Sequence, residues 1–164
     1  MTDVTESSTA AARVEEIRRR YGDGQRFFDW FHVTQDVIDM FCKATFDKDW
    51  LHHDPERARR DGPYGGIIAP GFWTMSMLSH LSRRSTGEEF PAGAQLGLNY
   101  GFDRVRFPGP IRVGARIRLK SKLLEVTTRD RGQFLVKTEC TVEVEDQDKP
   151  ALVADWLILL LFPD

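Results

Sequence analysis

Residues 71–84 read Gly71-Phe-Trp-Thr-Met-Ser-Met-Leu-Ser-His-Leu-Ser-Arg-Arg84. Phe72, Met75, Leu78 and Leu81 recur at helical spacing, and the serines between them are small. The segment reads as a mostly apolar cylinder, and a helix apolar nearly all round has to be buried. After Gly93 the period changes. Residues 95–106, 115–127, 133–146 and 151–162 alternate polar and apolar side chains or are rich in β-branched residues. Pro108-Gly-Pro110, Asp130-Arg-Gly132 and Asp146 to Pro150 are the turns between them. Long strands in such succession predict hairpin connections and an antiparallel sheet. One buried helix and an antiparallel sheet of five or more strands make an α+β domain. The economical arrangement wraps the sheet around the 71–84 helix.

Upstream the signals are more local. Residues 1–9 are small and polar, so residues 1–10 are expected to be a flexible N-terminus and 11–164 a single domain. Residues 10–21 carry helix formers and stop at Gly22-Asp-Gly24. Phe27 to Val33 is aromatic-rich and strand-like. Thr34 then reads as the N-cap of an amphipathic helix over 35–45, with Val37, Ile38, Phe41 and Ala44 on one face. Asp54-Pro55 is suited to cap a short helix ending near Arg60. Gly62-Pro63-Tyr64-Gly65-Gly66 breaks the chain again.

Composition narrows the class of function. The chain has 164 residues, 41% hydrophobic and 29% charged, with a net charge of −2. That is an ordinary globular composition, and it lacks the basic excess of a nucleic-acid protein. The arginine clusters at 18–20, 57–60 and 83–84 read as solvated helix faces, with contact to a phosphorylated ligand as the alternative. Cys42 and Cys140 sit among apolar neighbours without motif spacing, as buried free thiols do in a reducing compartment. No secretory signal is visible, and the apolar run Leu157 to Phe162 is far too short to cross a membrane. A cytoplasmic protein with no membrane partner is expected.

The chemistry concentrates in Thr45-Phe-Asp47-Lys-Asp49-Trp50-Leu51-His52-His53-Asp54-Pro55. A loop-rich stretch as long as 46–70 inside a compact domain usually has a function. Asp47 and His52 on one irregular loop can both face one water. Adding water to an α,β-unsaturated thioester needs a base for the water and an acid for the α-carbon. Imidazole suits that transfer near neutral pH, and a carboxylate can share or orient the water. Negative charge grows on the thioester oxygen, and backbone N–H groups at the start of a buried helix are donors for it. Pro70-Gly71 opens such a helix, and a glycine lets a carbonyl approach the backbone closely. A metal held by His52, His53 and Asp54 is not expected, because adjacent residues rarely converge on one ion.

Three blocks now stand in order. Asp47, Asp49, His52 and Asp54 form the first. Tyr64-Gly-Gly-Ile-Ile-Ala-Pro70-Gly71-Phe-Trp-Thr74 is the second. Asn99-Tyr-Gly-Phe-Asp-Arg-Val-Arg106-Phe-Pro-Gly-Pro-Ile-Arg-Val-Gly114 is the third. Together they resemble the MaoC-like (R)-specific enoyl-CoA hydratases, most closely the nodulation protein N-like branch. The likeness runs from about residue 11 to the C-terminus.

The resemblance implies a hotdog fold, a homodimer and an active-site tunnel near the dimer interface. It implies Asp47 and His52 as the catalytic pair of a hydratase or dehydratase acting on trans-2-enoyl and (3R)-hydroxyacyl thioesters. It implies the Gly71 N–H as donor to the enolate oxygen and Ser79 close to the site. No cofactor is expected beyond the coenzyme A or acyl carrier protein of the substrate. Trp50, Trp73 and Phe72 are either core aromatics or the lining of an acyl pocket. Arg106 is either a surface strand arginine or a contact for a coenzyme A phosphate. A hotdog thioesterase and a non-catalytic acyl-thioester-binding protein are the alternatives. The chain departs from the family pattern at Phe46, where glycine is common, at Asp49, where asparagine is usual, and at Pro70, where the family has histidine. A second carboxylate at Asp49 predicts like-charge repulsion with Asp47.

Overall fold

The structure is a computed structural model that describes residues 2–22, 24–84 and 90–163. The chain opens with helix α1 (Thr2–Tyr21). Two short strands follow, β1 (Gln25–Phe27) and β2 (Phe31–His32), and then helix α2 (Gln35–Thr45). A 3-10 turn (Trp50–His52) leads to α3 (Pro55–Arg60), α4 (Gly71–Ser76) and α5 (Leu78–Arg84). Four long strands complete the fold: β3 (Leu96–Arg106), β4 (Arg116–Arg129), β5 (Gln133–Val144) and β6 (Leu152–Leu161).

The strands form one antiparallel sheet in the order β1-β4-β5-β6-β3, with β2 also on β4. Alternation puts one face of β5 and most of β6 in the core. On β5, Phe134, Val136, Thr138, Cys140, Val142 and Val144 are all buried, and on β6 so are Leu152, Ala154, Trp156, Ile158 and Leu160. Burying one such leucine is worth about 1.5–3 kcal/mol. Against this face lie Trp73 and Leu78 of the helical layer, together with Leu81, Ile38 of α2 and Ile17 of α1. Both cysteines are buried and free.

Several expectations needed correction. α1 starts well before residue 10. Gly22 ends it at a φ of 77°, its N–H on the Arg18 carbonyl at 2.7 Å. Asp23 of the expected stop lies outside the described residues. The segment from Phe27 to Val33 is two strand fragments rather than one strand. Thr34 occupies the N-cap position of α2 but makes no side-chain cap bond there.

The 71–84 helix is interrupted at Met77, although the Leu81 N–H still reaches the Met77 carbonyl at 2.8 Å. It is also not covered all round, because Phe72, Ser76 and His80 are exposed. The buried face is Trp73, Thr74, Leu78 and Leu81. Finally, β3 and β4 are not a hairpin. β3 pairs β6, and the 107–115 connection crosses to the far side of the sheet, anchored by buried Ile111 and a bridge between Ile68 and Arg112. Among the described residues, no helix is long and apolar enough to cross a membrane.

Candidate active site

The site begins where α2 ends. Phe46 takes the left-handed conformation (φ 57°, ψ 24°), and its N–H returns to the Cys42 carbonyl. The Asp47 N–H reaches the same carbonyl at 2.9 Å. This is the terminus at which glycine is favoured, because a left-handed residue costs a side chain about 1–2 kcal/mol. The turn throws Asp47 back across the end of the helix. Its Oδ1 accepts from the Asp49 N–H at 3.0 Å. Asp49 in turn caps the 3-10 turn, its Oδ1 accepting from the Leu51 N–H at 3.0 Å. The second carboxylate is therefore a cap that sets where the next turn starts. Asp54 caps α3 through the Arg57 N–H in the same manner.

That 3-10 turn delivers His52 inward. The residue is only 8% exposed. Its Nδ1 lies 2.7 Å from the Ile68 carbonyl, which can only accept, so Nδ1 carries the hydrogen and the neutral ring keeps its lone pair on Nε2. Nε2 lies 3.9 Å from Asp47 Oδ2, whose side chain is 34% exposed. The backbone carbonyl of His52 is held by Gln35 Nε2 at 2.8 Å, and the same amide reaches Asp39 Oδ1 at 2.7 Å. Sequence reading missed Gln35. A glutamine in the first turn of a helix gives no sign of a partner beyond the cap.

The segment after Gly66 ties this loop to the helical layer. Ile68 N–H bonds the Leu51 carbonyl at 3.2 Å and Ala69 N–H bonds the Ile111 carbonyl at 2.8 Å. Ile68 therefore orients the imidazole three residues before α4 begins at Gly71. A Cβ on Gly71 would stand 3.3 Å from the Phe107 ring, so the glycine lets that ring pack close against the start of α4. Burial, and then the carboxylates of Asp47, Asp39 and Asp49, push the thiol of nearby Cys42 up.

The remaining expected site residues are more scattered. Trp73 is a core residue whose ring stands 6.5 Å from that of Phe31. Trp50 lies under the Arg57 guanidinium, 4.5 Å from its ring centroid. Arg106 is exposed and bonds the neighbouring Val105 carbonyl at 2.7 Å. Ser79 lines a different cavity, between α5 and the sheet. Asp47 opens instead onto a surface depression of about 320 Å³ shared with Lys43, Phe46, Lys48 and His53.

Residues 16–146 match the family described as MaoC like domain. The chain belongs to the MaoC-like family. It is 38% identical over 147 residues to nodulation protein N of Rhizobium leguminosarum bv. viciae, covering 90% of each chain. It is 41% identical over 130 residues to 3-hydroxyacyl-thioester dehydratase Z of Mycobacterium tuberculosis, covering 79% of this chain and 83% of the relative. Among solved structures it resembles the monoamine oxidase regulatory protein of Archaeoglobus fulgidus, with a TM-score of 0.73 at 22% identity over 86% of this chain and 91% of the other. The sheet folded about the helical layer is the hotdog fold shared by these MaoC-like structures.

Proposed function

We propose that this MaoC-like chain is a hydratase or dehydratase that interconverts trans-2-enoyl and (3R)-hydroxyacyl thioesters. The observation that carries the reading is the pair formed by His52 Nε2 and Asp47 Oδ2, 3.9 Å apart, with Nε2 left basic by the Ile68 carbonyl. That gap is too long for a direct hydrogen bond. An oxygen about 2.8 Å from both atoms fits between them at an angle of roughly 90°. Kinship with a relative named as a 3-hydroxyacyl-thioester dehydratase supports the same chemistry.

In the hydration direction Asp47 and His52 hold one water. The water oxygen forms its bond to C3, and the electrons of the double bond move onto the thioester oxygen. The Gly71 N–H, in the first turn of α4 where no intrahelical acceptor exists, donates to that oxygen. The proton shed by the water passes through the pair to C2 and completes the product. Dehydration runs the same steps backward. The acyl carrier is coenzyme A or acyl carrier protein, and no further cofactor takes part. A cytoplasmic homodimer is the working assembly. β3 is one edge strand of the sheet, pairing on one side with β6 and exposing Leu96, Leu98 and Tyr100.

The test is direct. Purified protein should bleach the enoyl-thioester absorbance of crotonyl-CoA or of a longer homologue and yield the (3R)-hydroxy product. An inert protein across chain lengths, or an Asp47→Asn variant with full activity, sinks the reading.

A further inference from the structure

Between α5 and the sheet lies a second, partly open cavity of about 80 Å³. One water needs roughly 10–15 Å³ by the same kind of measure, so there is room for a small organic group. The sheet wall carries Ser121, Thr138 and Trp156, all buried. Among the described residues no group reaches Thr138 Oγ1 or Trp156 Nε1, although these residues are only 4% and 7% exposed. An indole N–H is a donor and nothing else, so it calls for an acceptor. A purely hydrocarbon occupant would bury both atoms without one.

The charge of the cavity points the same way. Arg26 lines it beside these atoms. Arg26 lies over the Phe28 ring, 5.3 Å from its centroid, and donates to the Arg20 carbonyl. Burial and then the nearby Arg20 charge push its guanidinium below the ordinary range, so a negative group there is favoured. Hydrogen-bond donors and positive charge converge on one space. The matching chemistry is an anionic oxygen pair.

We propose that this cavity binds a carboxylate, presented either by a free small acid or by the distal end of a dicarboxylic acyl thioester. The second source rests on the hydratase reading. It requires the acyl chain to run along the helical layer from Gly71 to Ser79 or Ser82, roughly 12–16 Å at the rise of an α-helix. The site would then select for oxygen at the far end of the acyl group.

Two arms separate the sources. In the first, titration calorimetry of the full chain with adipate should detect binding that Trp156→Phe and Thr138→Val each weaken by about tenfold, with hexanol as the uncharged control. In the second, trans-2-decenedioyl-CoA should show a KM about tenfold below that of trans-2-decenoyl-CoA, with Trp156→Phe and Arg26→Gln erasing the difference. Turnover of both thioesters with equal KM, together with no adipate binding, overturns this proposal and leaves the hydratase reading intact. Adipate binding sensitive to Trp156→Phe in a protein that turns over no enoyl thioester keeps the carboxylate site and removes the hydratase reading. Should Trp156→Phe fail to fold, Thr138→Val, which preserves shape and deletes only the hydroxyl, decides the first arm.

Discussion

His52 Nε2 faces Asp47 Oδ2 across 3.9 Å, while His52 Nδ1 is fixed 2.7 Å from the Ile68 carbonyl. One ring thus joins the end of α2 to the segment that starts α4. In the proposed mechanism the two side chains share one water and act as a unit. Asp47→Asn and His52→Gln should each lower kcat for enoyl-thioester hydration by about 10²–10⁴-fold. The double variant should lose little more than the worse single one. Their stabilities should differ. Asp47 is partly exposed, whereas a glutamine at buried position 52 leaves the Ile68 carbonyl poorly paired, a loss of about 1–3 kcal/mol. Additive kinetic losses in steady-state assays would separate the two residues into independent roles.

Phe46 spends conformational energy at this corner. It is left-handed, 85% exposed, and surrounded by no core. Replacing it with glycine removes the left-handed penalty and sacrifices almost no burial, at the cost of a freer unfolded chain. Phe46→Gly should therefore raise the stability by about 0.5–1 kcal/mol, or roughly 2 °C in Tm. Urea or thermal melts decide it, and a lowered midpoint would mean that the ring has a partner the single chain does not supply.

Asp155 gives the fold an acid-sensitive tie. It is buried on β6, and Arg104 grips it with two hydrogen bonds of 2.8 and 2.9 Å from the irregular stretch of β3. Those bonds hold its carboxyl below the usual carboxylate range. A depressed folded pKa contributes stability that is fully present above the unfolded value near 3.9 and is lost as pH falls through the folded value. Denaturant midpoints should therefore drop between pH 5 and pH 2.5 in the wild type. In Asp155→Asn the midpoint should already be low at pH 7 and should change less over that range. Parallel pH profiles for the two proteins would assign the acid sensitivity elsewhere.

The parts of the fold that were legible in the sequence are those governed by local period and turn chemistry. β5 alternates buried and half-buried residues along its whole length, and Asp130-Arg-Gly132 turns β4 into it, with Arg131 and Gly132 both at positive φ. Asp54 announced α3 because a cap bond spans only three residues. The β3–β6 pairing was not legible. It joins residues such as Leu98 and Leu159, and nothing in a local pattern says which distant strand an edge will find. Nor was the break at Met77, since methionine carries no breaking signal. At the site, spacing suggested Asp47 and His52, but their facing depends on Phe46 adopting a conformation that its side chain disfavours. Gln35 lay beyond sequence reading because its partner is a backbone carbonyl seventeen residues on.

Gln35 supplies the last prediction. Its amide donates both to the His52 carbonyl at 2.8 Å and to Asp39 Oδ1 at 2.7 Å, so it fixes the backbone that carries the imidazole without facing the substrate itself. Gln35→Leu removes both bonds and should cost about 1 kcal/mol of stability. As a positioning residue it should lower kcat several-fold while KM stays within about twofold, because misplacing the base by a fraction of an ångström weakens only the step that moves the proton. Gln35→Glu is the sharper control. An ionised carboxylate keeps the shape but only accepts, and it meets the Asp39 carboxylate with like charge. It should therefore be as impaired as Gln35→Leu at pH 8 and recover part of its kcat near pH 5, where protonation restores a donor. A flat ratio of Gln35→Glu to wild-type kcat across that interval would show that the hydrogen bond to His52 does not position the base.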